Sequence, residues 1–171
     1  MEDKLELRFL LQDTRARVYL LWAAIVALGY TATHFYQNKN INFVWFILSL
    51  TGFYYMYRVM PLGVSQMKRI FAAWLVPISL GLAVSIASAR GWAFTSLLAY
   101  LGAFWLLVIS VGFVWNGLVD RPLTWYFIAA GLCIAGATMI YFSDAFLAAQ
   151  YLVAAVISTW AMLNLFIFRT D

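Results

Sequence analysis

The chain has 171 residues, of which 65% are hydrophobic, 19% aromatic and 11% charged, against about 25% charged in an average soluble domain. Six runs free of Asp, Glu, Lys and Arg, at 18–38, 40–57, 70–89, 91–119, 122–143 and 145–168, take up nearly all of it, and about 20 mostly apolar residues cross a bilayer core as a helix. The pattern predicts an all-α integral membrane protein of six transmembrane helices. It excludes a globular enzyme on an anchor and a secreted protein; it also excludes a nucleic-acid binder despite the net charge of +4, because the eleven Lys and Arg are scattered through the gaps.

Residues 1–17 read as a cytoplasmic amphipathic tail. Leu5, Leu7, Phe9, Leu10 and Leu11 alternate with charges, acids stand at its start, and Arg15 and Arg17 at its end complement a helix macrodipole, which predicts a short interfacial helix. Glu2, Asp3, Glu6 and Asp13 rule out a cleaved signal peptide. Span one, about 18–37, is expected to be capped by Asp13 or Thr14 and to end at the polar turn Gln37–Asn40. Span two, about 41–57, closes in the aromatic and basic cluster Phe53–Arg58, suited to a headgroup layer. A loop with Pro61 and Gly63 leads to span three, about 69–89, where Pro77 is the candidate kink and Ser79, Ala83 and Ala87, with Gly81 and Ser85, invite close helix approach. Span four, about 92–119, lies in an uncharged run of 29 residues, longer than a bilayer requires, so tilt or an interfacial start near Trp92 is expected. Asp120-Arg121-Pro122 precedes span five, about 122–142, which holds the single cysteine, Cys133, read as a packing residue. Ser143-Asp144 starts span six, about 145–168.

The basic residues divide nine to two between the sides of a six-span bundle. Lys4, Arg8, Arg15, Arg17, Arg58, Lys68, Arg69, Arg121 and Arg169 face Lys39 and Arg90, which predicts that both termini are cytoplasmic; the expected location is the plasma (cell) membrane. Tyr19–Tyr30 (YLLWAAIVALGY) resembles Tyr100–Phe113 (YLGAFWLLVISVGF), with Trp45 falling near Trp125. As a true repeat this faint similarity would give two inverted three-helix halves, an arrangement used by transporters.

Catalytic chemistry finds few groups to work with. His34 is the only histidine, so bis-histidine haem and zinc-protease motifs are excluded. Cys133 has no partner cysteine, and no acid or lysine lies inside a span to serve a proton relay or a retinal linkage. No catalytic residue, metal or cofactor is therefore expected. The candidate polar lining or packing residues are His34, Asn116, Gln150 and Asn164, expected to pair across helices. On span six, Gln150, Ala154, Ile157, Ala161 and Asn164 share one face, opposite Leu152, Val156, Leu163 and Phe166. Trp22, Trp74, Trp105 and Trp160 lie deep in their spans and read as packing. The expectation is a non-catalytic subunit or binding partner acting by helix packing with membrane lipids, another membrane protein or a second copy. The alternative is a small transporter or channel for an apolar or neutral solute.

Overall fold

The computed structural model describes residues 2–36, 41–119 and 124–167, with side chains for 14–36, 41–119 and 124–165. Those residues form helices and no strand: α1 (Glu2–Phe35), α2 (Ile41–Val59), α3 (Ser65–Ala89), a 3₁₀ segment (Thr95–Tyr100) running into α4 (Leu101–Val119), α5 (Thr124–Phe142), the short α6 (Asp144–Ala148) and α7 (Gln150–Ile167). Among them, Thr14–Phe35, Ser65–Ala89, Thr95–Val119 and Thr124–Phe142 are long and apolar enough to cross a membrane. Helix α2 has the length, but Trp45, Tyr54, Tyr55 and Tyr57 dilute its hydropathy, and the apolar stretch of α7, Gln150–Leu165, is shorter. The turn at Gln37–Asn40, the Asp120-Arg121-Pro122 junction, Arg169, the side chain of Phe166 and the amphipathic face of the tail lie outside the described residues.

The expected cap at Asp13 or Thr14 is not used, because α1 runs unbroken from Glu2. Residues 2–28 contain neither Gly nor Pro and are rich in Leu, Glu, Lys and Arg, so nothing local stops the helix. Its 34 residues reach about 51 Å, against a bilayer core of about 30 Å. Helix α3 continues through the buried Pro77 and ends in a Schellman motif. Gly91 there adopts φ 72, its N–H donates to the Ser88 carbonyl, and the Trp92 N–H donates to that of Ala87. The long fourth run is accommodated by this turn and by the 3₁₀ segment, none of whose residues is buried.

Span six is broken rather than continuous. Ala149 leaves helical geometry at φ −105, ψ 19, between α6 and α7. In the bundle, α7 packs on α1, α5 and α4; α4 lies between α3 and α5; and α2 leans on α1 and α3. The small stripe of α3 is also re-aimed. Gly81, Ser85 and Ser88 are buried, whereas Ser79 and Ala83 are exposed, so only half of the expected stripe meets a neighbour.

Candidate functional site

The centre of the bundle is built from tryptophans seated on glycines. Trp22 and Gly29 in α1, Trp45 and Gly52 in α2, Trp74 and Gly81 in α3, and Trp105 and Gly112 in α4 are each seven residues apart. Seven residues make two helical turns, about 10 Å of rise with about 20° of drift, so each Trp and its Gly share a helix face. Two antiparallel helices carrying this spacing can exchange them, and they do. A Cβ added at Gly52 would lie 2.8 Å from the Trp22 ring and one at Gly29 2.5 Å from Trp45; at Gly112 it would lie 2.7 Å from Trp74 and at Gly81 3.1 Å from Trp105. Each indole lies where any other residue would place its side chain, in two reciprocal clasps, α1 with α2 and α3 with α4.

In the first clasp the indole N–H reaches the residue one turn beyond the glycine. Trp45 Nε1 donates to Thr33 Oγ1 at 2.8 Å, and the Thr33 hydroxyl donates in turn to the Gly29 carbonyl at 2.7 Å. Trp22 Nε1 donates to Met56 Sδ at 3.1 Å. The matching positions of the second clasp are Ser85 and Asn116, both buried. Ser85 Oγ and Asn116 Oδ1 take no hydrogen bond among the described residues; the Asn116 amide donates to the Gly112 carbonyl of its own helix at 2.8 Å. The second hairpin thus repeats the steric half of the clasp without the polar half. Trp45 and Trp105, 6.1 Å apart with rings 10° from parallel, join the two hairpins.

The four indoles, with Tyr30, Ser49 and Met162, enclose a central cavity of about 20 Å³, room for about one water. Nearer the Arg15 end of α1, Met56, Met60 and Met67 surround a smaller void of about 10 Å³ beside Tyr19 and Trp74. The Tyr19 and Tyr126 hydroxyls are bonded at 2.7 Å there, tying α1 to α5.

The residues singled out in the sequence are dispersed around this centre. Gln150 is the most engaged: its Oε1 accepts from the Gly102 N–H at 2.8 Å and its Nε2 donates to the Ala99 carbonyl at 3.0 Å. One side-chain amide thereby serves two backbone groups where the 3₁₀ segment becomes α4. The Gly102 position admits no side chain, since a Cβ would lie 2.9 Å from the Gln150 carbonyl. The Asn164 amide turns back onto the Trp160 carbonyl at 2.8 Å, and His34 is half-buried with its ring edge-on to Phe35 at 5.1 Å. Of the span-six stripe, Gln150, Ala154 and Ala161 are buried and Val156 is exposed on the far side. Leu163, expected with Val156, packs against the core instead. Trp160 is half-exposed, while Trp45, not singled out, joins the central set. Among the described residues no group of three or more His, Cys, Asp or Glu is placed to hold a metal.

No protein-family model matches the chain, and no curated protein or solved structure matches it. The signal that sequence reasoning missed is the common Trp-to-Gly spacing, visible only when the four helices are aligned on their tryptophans. A related aromatic-to-small spacing continues in Tyr126 and Cys133 of α5 and in Tyr151 and Ser158 of α7.

Proposed function

We propose that the chain is a six-span integral membrane protein of the cell membrane, with both termini cytoplasmic, that works without catalytic chemistry as a packing subunit or binding partner within the bilayer. The carrying observation is how its apolar surface is distributed. Leu28, Phe43, Leu80, Leu118, Phe142 and Val156, one on each of the six long helices, are 62% to 79% exposed. Such side chains suit hydrocarbon and are costly in water. That α2 and α7 carry them as well as the four more apolar helices favours six spans over four. The interior supports packing over conduction, since the central cavity of about 20 Å³ is smaller than any solute beyond water.

A transporter is the second reading, and the two interrupted helices favour it. The 3₁₀ entry to α4 and the break before α7 face one another through Gln150, and discontinuous helices line binding sites in many transporters. The Trp–Gly spacing does not choose between the readings, since α1, α2, α3 and α4 all carry it.

Purification in mild detergent separates the readings. A companion membrane protein at constant stoichiometry, lost when outward residues such as Val156 are made charged, supports the packing role. A lone chain or homodimer that moves a neutral solute into liposomes supports the transporter and overturns the first reading.

A further inference from the structure

Helix α3 and the stretch leading into α4 flank an open lateral groove of about 500 Å³, lined by Val84 on one side and by Phe94, Ser96, Leu97, Tyr100 and Phe104 on the other. The wall owes its form to the 3₁₀ winding. At three residues per turn, side chains three apart eclipse one another, so within the 3₁₀ segment Leu97 and Tyr100 stand in line, and Phe94 precedes them as its N-cap. With about 2.0 Å of rise per residue in the 3₁₀ part and about 1.5 Å beyond it, the wall from Leu97 to Phe104 runs about 12 Å.

The backbone at the head of the wall is strained. Phe94 adopts φ 55, ψ 35, a left-handed conformation that disfavours a bulky residue by about 1–2 kcal/mol. The side chain is 66% exposed, so burial of the Phe94 ring does not offset that cost. The conformation falls at the turn between α3 and the 3₁₀ segment, which packs beside α3. Arg90, an exposed cation, caps α3 at the start of the same turn, and Trp92 beside it is 75% exposed, a pairing suited to a membrane–water boundary.

We infer that this groove is a binding site for one glycerophospholipid of the surrounding leaflet, an acyl chain lying along the Phe94, Leu97, Tyr100 and Phe104 wall and the phosphate meeting Arg90. An open apolar groove of this volume, within the range of about 300–1,000 Å³ typical of ligand sites, with Leu97, Tyr100 and Phe104 following one another along its wall, suits an acyl chain. The exposed Arg90, at the α3 end of the same turn, supplies the complement to a phosphodiester. The inference rests on the membrane reading, which is decided separately by whether the chain partitions into detergent or into buffer.

The test is native mass spectrometry of the full chain released from phospholipid-containing detergent micelles. The wild type is expected to retain one phospholipid per chain. Ser96 is exposed, so Ser96→Trp fills the groove without entering the core and should lower the retained fraction at least tenfold with an unchanged melting temperature. Leu118→Trp, an equally bulky change on another outward face of α4, should leave retention intact, and Arg90→Gln should lower it about fivefold. Absence of lipid on the wild type, equal retention in Ser96→Trp, equal loss in Leu118→Trp, or a free fatty acid in place of the phospholipid would each overturn the assignment.

Discussion

At the scale of single residues, the glycines under the indoles resist replacement, as Gly102 does. Gly112→Ala sets a methyl 2.7 Å from the Trp74 ring and should destabilise by about 1–3 kcal/mol through overpacking. Gly131, in α5, has nothing within 4 Å of such a methyl, so Gly131→Ala should stabilise by about 0.5–1 kcal/mol through helix propensity alone. Thermal unfolding in detergent reads both, and equal shifts would show that the seats are not tight. The polar half of the clasp predicts a second asymmetry. Thr33→Val strips Trp45 Nε1 of its acceptor and should cost about 1–3 kcal/mol. Ser85→Ala removes a buried hydroxyl that takes no bond among the described residues and should be close to neutral. A Ser85→Ala loss as large as that of Thr33→Val would mean that Ser85 is engaged as Thr33 is.

Between helices, the decisive contact is the one Gln150 makes with the start of α4. Replacing it by Leu leaves the buried Gly102 N–H without its acceptor, at about 1–3 kcal/mol, and takes the donor from the carbonyl of the exposed Ala99. Hydrogen exchange in Gln150→Leu should therefore accelerate at residues 99–102 while the middle of α4 stays protected; uniform acceleration along α4 would contradict this local role. The elements themselves were legible in the sequence, because uncharged runs of bilayer length are a composition signal, and so was the burial of Gln150, Ala154 and Ala161, because it follows helical periodicity. Their partners were not. Gln150 reaches a backbone junction about fifty residues away, and Leu163 is covered by neighbours that an isolated helix does not disclose. The break at Ala149 was hidden for the same reason, since the contact that accompanies it comes from α4. Only the Trp-to-Gly spacing was both local and overlooked, a two-turn period that becomes meaningful once antiparallel pairing is assumed.

For the whole molecule, the unit of construction is the hairpin. Antiparallel helices with Trp and Gly two turns apart clasp each other, two clasps join through Trp45 and Trp105, and α5 and α7 close the bundle against α1 and α4. Such an assembly gathers Trp22, Trp45, Trp74 and Trp105 at its centre and turns apolar side chains outward on every long helix. The six-span bundle depends on α2 crossing the bilayer, and α2 is the one helix of the two hairpins not among those long and apolar enough to cross. If α2 crosses, residues 38 and 65 lie on opposite sides; if it does not, they share a side. In a Cys133→Ser background, with Asn38→Cys and Ser65→Cys made singly, a membrane-impermeant maleimide applied to intact cells should label Asn38→Cys and should reach Ser65→Cys only after permeabilisation. Labelling of both from the same side would contradict the six-span bundle.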